Sequence, residues 1–370
     1  MEMVRRFGFD KTLFLIALIL VAAGVLMVFD ASGALATEKY HRPFYFLFNQ
    51  LGGALGGIVL LFALVSVKVP FYENRVFIFG LLGITYVLLV LCFAMPEVAN
   101  THRWVNILHT RFQPSELAKL SLILFLANYV QWFKDRINEL KVFLPAAAAL
   151  FAAVLLILLE PDFGTAALTM ALGALVLFLG GVRLRHFLVL GAAAVPTFFI
   201  FLILAHYRIA RMLEFFAGTK DLDKASFQVA QSKLAVGAGG VLGTSLGEGT
   251  QKLFFLPCAH TDFIFSVIAE EMGLLGALSV LALFAIVVWR GLSISFKATT
   301  MAAQLTAAGM TFLLALQTLI NISVVLGLSP AKGVPLPLIS FGRSSLVCTI
   351  LAVAFLLHIS QRKGEARNYR

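Results

Sequence analysis

The feature that most constrains this chain is a succession of apolar runs, each close to the roughly 20 residues that cross a bilayer as a helix. Apolar residues make up 60% of the chain and charged residues only 13%. A soluble domain is nearer half apolar and a quarter charged. In hydrocarbon every backbone polar group must be paired inside the protein, so only helices and closed barrels can span it. A barrel would show segments of about ten residues with alternating polarity, and the runs here are continuous. The sequence therefore predicts an all-α polytopic membrane protein of about ten transmembrane helices. They fall at residues 12–29, 46–67, 76–95, 115–132, 142–159, 163–181, 186–205, 263–289, 301–327 and 344–360. Arg5 and Arg6 before the first run, and Ala34-Leu35-Ala36 after it, mimic a secretory signal. The run is longer than the roughly 7–15 apolar residues of such a signal, and it reads as an uncleaved first helix.

The net charge is +10. In a soluble protein that would suggest nucleic acid. Here it reflects short basic loops, and no nucleic-acid partner is expected. Lys68 and Arg75, Lys134 and Arg136, Arg183 and Arg185, Arg290 and Lys297, and the basic tails all fall on one side. The bias of such loops toward the cytoplasm places both termini inside. The single long loop, 206–262, then lies outside the cytoplasmic membrane. It is too short for a core of its own, so the chain 1–370 reads as one transmembrane domain. Arg208, Arg211, Lys220, Lys224, Lys233 and Lys252 in this loop, with Arg103 and Arg111 before span four, sit on the outer side. Two readings stand: solvated loop charge, or a basic surface for an anionic ligand at the outer leaflet. Gly237, Gly239, Gly240, Gly243, Gly247 and Gly249 crowd the same loop. They lack the Lys-Ser/Thr ending of a phosphate-binding P-loop. They mean either tight turns with close backbone approach or a flexible connection. The three cysteines form neither a disulfide framework nor a metal set.

Polar residues at membrane depth are functional candidates because burying them is costly. Glu116 and Lys119 share a face at the start of span four, as an ion pair or as part of a site, and Ser115 is positioned to cap that helix after Pro114. Glu160-Pro161-Asp162-Phe163-Gly164-Thr165 joins spans five and six. Its carboxylates are either an acid/base pair or, more simply, Asp162 is a cap for span six. Leu256-Pro257-Cys258-Ala259-His260-Thr261-Asp262-Phe263 puts a carboxylate at the outer mouth of span eight. The helix start favours an ionised Asp262 while the nearby apolar phase opposes it, a balance suited to a general base. An N-cap is the competing reading. Glu270 and Glu271 lie two turns deeper and need partners from other helices or belong to a path.

Several stretches in order resemble the SEDS family (shape, elongation, division and sporulation) of multispan peptidoglycan glycosyltransferases. They are Arg103-Trp104, Phe112 to Leu120, Glu160 to Thr165, Tyr207-Arg208 with Arg211, the glycine-rich run ending Thr250-Gln251-Lys252, His260 to Phe265, and Pro335 to Gly342. Gln251 to Pro257 and Ala331 to Pro335 look more like the division (FtsW-like) branch than the elongation (RodA-like) branch. Two positions depart from the family's pattern. Cys258 stands where a Glu is usual, and Arg343 follows Gly342 where a second glycine is usual.

The resemblance implies a bacterial cytoplasmic-membrane enzyme that polymerises lipid II at the outer face by inverting glycosyl transfer. Asp262 would be the catalytic base. Arg103, Trp104, Gln113, Ser115, Glu116, Lys119, Arg208, Arg211, Gln231, Lys252, His260, Thr261, Ser340 and Ser344 would bind substrate. Arg208 and Arg211, with Lys119 or Lys252, would stabilise the leaving pyrophosphate. No metal ligand or certain cofactor is implied, and a divalent cation is left open. The implied partners are a class B penicillin-binding protein transpeptidase and other division or elongation machinery. A lipid-linked-sugar flippase and a non-catalytic division scaffold are the alternatives. A flippase would carry charge along a path through mid-membrane.

Overall fold

The computed structural model describes residues 8–97, 101–107, 110–204, 227–330 and 333–368. The helices are α1 (Lys11–Tyr40), α2 (Tyr45–Ser66), α3 (Arg75–Cys92), α4 (Pro114–Trp132), α5 (Leu140–Leu159), α6 (Phe163–Leu179), α7 (Leu184–Leu204), α8 (Phe227–Ala238), α9 (Ile264–Lys297), α10 (Met301–Val325) and α11 (Arg343–Asn368). All but α8 correspond one to one with the ten expected spans. Eight are long and apolar enough by themselves to cross a membrane, which makes this a multi-pass membrane protein. The other two spans depend on the bundle. Helix α6 has 17 residues. Helix α4 carries Ser115, Glu116, Lys119, Ser121 and Asn128, all buried, because its neighbours rather than lipid surround it.

The two ends of the bundle are chemically distinct. At one end Asp10 caps α1 through the Leu13 N–H at 3.0 Å, accepts from Arg290 Nε at 3.0 Å, and its own N–H donates to Ser360 Oγ at 3.0 Å. The amino-terminal end of α1 and the distal parts of α9 and α11 therefore meet on one face. At the other end a small hairpin, β1 (Val105–Ile107) with β2 (Thr110–Phe112), pairs Val105 with Phe112 and Asn106 with Arg111. This hairpin delivers Arg103 and Gln113 to the turn between α5 and α6.

Three features differ from the expected spans. Helix α1 continues past residue 29 to Tyr40, because Asp30 faces protein and is ion-paired with Lys252. Part of the long loop is helical: α8 buries Val229, Ser232 and Ala235, and Ser232 Oγ lies 2.7 Å from Ser266 Oγ and donates to the Val325 carbonyl at 2.8 Å. Helix α9 extends to Lys297 rather than 289 and is broken at Gly273, whose φ of 65° and ψ of −163° are non-helical.

The glycine-rich run repairs that break. The carbonyls of Glu270 and Glu271 accept from the N–H groups of Thr244 (3.0 Å) and Ser245 (3.2 Å). The freed N–H groups of Leu274 and Leu275 donate to the carbonyls of Gly240 (3.0 Å) and Val241 (3.4 Å). Irregular backbone is tolerated in such a protein where other backbone re-satisfies it. The approach excludes side chains: a Cβ on Gly243, which has φ of 83°, would lie 2.0 Å from the Glu271 carbonyl oxygen. The run is therefore a close backbone dock, not a flexible connection.

Candidate active site

Asp262 lies on the turn that precedes α9, and two segments distant in sequence hold that turn. Asn321 Nδ2, on α10, donates to the carbonyls of Asp262 at 2.8 Å and Val334 at 2.9 Å. Ser340 Oγ donates to the Thr261 carbonyl at 2.6 Å and accepts from the Leu336 N–H at 2.9 Å. The Phe341 N–H donates to the His260 carbonyl at 3.0 Å. Gln50, fully buried on α2, donates to the carbonyls of Ile339 (3.3 Å) and Ser340 (3.1 Å). Every one of these anchors grips backbone, and among the described residues no hydrogen bond or ion pair holds the Asp262 carboxylate. It does not cap α9: the cap position is Phe263, without a side-chain bond.

Opposite stands the turn between α5 and α6. Asp162 caps α6, accepting from the Thr165 N–H at 3.2 Å and Thr165 Oγ1 at 3.0 Å. Gln113 Nε2 donates to Asp162 Oδ2 at 3.3 Å. Arg103 Nε donates to the Glu160 carbonyl at 3.2 Å, another guanidinium nitrogen donates to the Pro161 carbonyl, and Nη1 lies 3.7 Å from Asp162 Oδ2. Asp262 feels this turn electrostatically. Loss of hydration first, then the Asp162 charge, push its carboxyl up to about 7, with Arg103 opposing. Glu160 is buried and is pushed up to about 8, first by burial and then by Asp162, again against Arg103. His260 packs on Phe46 and Phe341, with ring centroids at 4.7 and 5.6 Å, and burial lowers it to about 4. It is a neutral packing group near pH 7. The site thus offers a half-buried carboxylate of near-neutral proton affinity facing a cation.

The family model for FtsW, RodA and SpoVE, described as a cell cycle protein, matches residues 10–365. The chain belongs to the FtsW/RodA/SpoVE family. A probable peptidoglycan glycosyltransferase FtsW of Geobacter sulfurreducens is 39% identical over 360 residues, covering 96% of this chain and 95% of its own. Stage V sporulation protein E of Bacillus subtilis is 35% identical over 356 residues, covering 95% and 97%. Among solved structures, the rod shape determining protein RodA of Thermus thermophilus superposes with a TM-score of 0.71 at 25% identity, covering 96% of this chain and 97% of that one. A chain from a peptidoglycan synthase complex that coordinates polymerization and crosslinking gives 0.76 at 25% identity, covering 96% and 98%.

Within this FtsW/RodA/SpoVE chain the expected site residues divide. Asp262, Thr261, His260, Ser340, Arg103 and Gln113 gather at the turns before α6 and α9, with half-buried Trp104 next to Arg103 in the chain. Glu116 and Lys119 instead hold each other: Lys119 Nζ donates to Glu116 Oε1 at 2.8 Å, both buried. Ser115 is not the cap of α4. The helix begins at Pro114 with Gln113 at the cap position, and Ser115 Oγ is buried without a partner. Ser344 is buried in the first turn of α11, and Gln231 is half-buried on α8. Arg208 and Arg211 lie outside the described residues. Arg343, the departure from the family pattern, is turned onto α2, where Nε donates to the Asn49 carbonyl at 3.3 Å and the guanidinium also reaches Asn49 Oδ1. Cys258 exposes its thiol from a left-handed backbone, φ 59°.

Sequence reasoning missed Asn321, Gln50 and Asp30. A signal existed for the first two, since each is a carboxamide inside an apolar span.

Proposed function

We propose that this chain is a peptidoglycan glycosyltransferase of the division branch that polymerises lipid II at the outer face of the bacterial cytoplasmic membrane. One observation carries the reading. Asp262 is held by its backbone, is spared from helix capping, has a proton affinity near neutrality, and faces Arg103 across the outer turns. A general base works best with such an affinity.

In the proposed step Asp262 takes the proton of the acceptor sugar's 4-hydroxyl. The oxygen bonds to C1 of the donor as the C1–phosphate bond breaks. The electron pair leaves with undecaprenyl pyrophosphate, and the configuration at C1 inverts. A phosphate leaving group needs no protonating acid of the kind that glycoside hydrolysis uses. Arg103 supplies positive charge at the site, and Arg208 and Arg211 of the long loop are proposed to meet the pyrophosphate. Trp104 and Gln113 are placed for sugar contacts. Among the described residues no three His, Cys, Asp or Glu side chains group to hold a metal ion.

Catalysis at the outer face is favoured over a flippase, because the Asp262 carboxylate and its facing cation sit at one end of the bundle. The likeness to a synthase complex supports a class B penicillin-binding protein as partner, and the basic loops support cytoplasmic termini. Purified protein, with and without the partner, should convert labelled lipid II into glycan strands. Translocation of lipid II across vesicles without strand synthesis would favour the flippase instead.

A further inference from the structure

Lys252 was expected to meet the substrate's pyrophosphate, and its surroundings assign it otherwise. Its side chain is 6% exposed. Its ammonium nitrogen lies 2.7 and 2.8 Å from the two carboxylate oxygens of Asp30 on α1, and 2.5 Å from Glu271 Oε1 on α9. An ammonium has three hydrogens to donate, so these three contacts saturate it. The Glu271 side chain also accepts from the Gly247 and Gly249 N–H groups, each at 3.2 Å. Glu270 Oε1 accepts from the Thr250 N–H at 2.8 Å, Thr250 Oγ1 at 3.1 Å and the Gln251 N–H at 3.2 Å. Two adjacent acids just before the break in α9 thus collect the end of the glycine-rich run, and Lys252 ties the assembly to α1.

We propose that Asp30, Lys252 and Glu271, supported by Glu270, form a buried latch that positions the segment leading to Asp262. Lys252 is then a positioning residue that acts through the chain, not a ligand of the leaving group. The segment is short and internally bonded. Leu253 donates to the Thr250 carbonyl at 3.0 Å, Leu256 to the Gln251 carbonyl at 2.8 Å, and Thr261 to the Cys258 carbonyl at 3.1 Å. A displacement at Lys252 therefore passes to the turn that holds the base. Removing one member of a buried charge group leaves the others uncompensated, so the latch opens rather than merely weakening.

The latch rests on the proposed role of Asp262 only for its effect on rate, and Cys258 gives a readout free of that role. Cys258 is exposed on the positioned segment, whereas Cys92 and Cys348 are buried. The experiment compares wild type with Asp30→Asn, Lys252→Met and Lys252→Arg, measuring the rate at which a membrane-impermeant maleimide labels Cys258 and the kinetics of lipid II polymerisation. In Asp30→Asn and Lys252→Met, labelling should change several-fold. Turnover kcat should fall by about 10–10²-fold with little change in KM, the scale of a base displaced by about 1 Å. Lys252→Arg should restore much of both. If Lys252→Met does not fold, Asp30→Asn, which keeps the Lys252–Glu271 pair, still decides the matter. Unchanged labelling together with a raised KM would overturn the latch and return Lys252 to the substrate. Changed labelling in a wild-type background that makes no strands would uphold the latch while removing the catalytic reading of Asp262.

Discussion

Two turns at one end of the bundle each place an aspartate and a phenylalanine at the mouth of a helix, and they use the carboxylate in opposite ways. Asp162 is buried and occupied: it caps α6, accepts from Gln113 and lies against Arg103. Asp262 is half-buried, its carboxylate holds no cap or ion pair among the described residues, and its turn is fastened through carbonyls by Asn321 and Ser340. Local sequence cannot separate these roles, because a cap and a base look alike next to a helix start. What separates them is which backbone groups the rest of the fold satisfies. A carboxylate relieved of structural duty keeps its proton affinity for chemistry.

The largest expected effect follows from making the two turns alike in charge. Asp262→Asn should lower strand synthesis by about 10²–10⁴-fold, the usual worth of a general base, with the melting temperature nearly unchanged because nothing is capped there. Wild-type synthesis by this variant would erase the distinction. A smaller and opposed pair of effects should appear in the pH dependence. Arg103 lowers the proton affinity of Asp262 and Asp162 raises it. Arg103→Gln should therefore move the acid limb of the rate profile to higher pH, and Asp162→Asn should move it to lower pH. Asn retains capping, so Asp162→Asn should cost little stability, whereas Asp162→Ala should cost about 1 kcal/mol. Limbs that stay fixed in both variants would uncouple the two turns. The smallest effects belong to the family departures. Arg343 is held by Asn49 and Cys258 is exposed, so Arg343→Gly and Cys258→Glu should each leave activity equal or slightly raised in the same assay. A marked loss in either would show that this chain has a compensated site of its own.

The bilayer made the fold legible, since only apolar runs of helical crossing length satisfy it, and each expected span has its helix. Features held by tertiary partners were not legible. Helix α1 runs on past Asp30 because of a lysine 222 residues away. Helix α8 exists because α9 and α10 cover it. The glycine-rich run has the composition of a flexible connection, and only the break at Gly273 shows why its backbone must come so close. The place of Asp262 at a helix mouth was readable from the sequence, and the Glu116–Lys119 pair from its spacing. The burial of Lys252 was not legible, because its acid partners, Asp30 and Glu271, come from two helices. Glu270 and Glu271 were flagged as too deep to be alone, and their partners include loop backbone and Lys252, which joins Glu271 to Asp30 of α1.

The central claim is that Asp262 is the group whose deprotonation switches on glycan synthesis, and the rate of strand formation from lipid II under single-turnover conditions against pH tests it most directly. A base whose carboxyl is raised to about 7 must lose its proton before it can accept one. The rate should fall by about tenfold per pH unit below that point and level off above it, and Asp262→Asn should flatten the profile at a low value. A wild-type rate that stays constant down to pH 5, or an Asp262→Asn profile that keeps the same acid limb, would contradict the assignment.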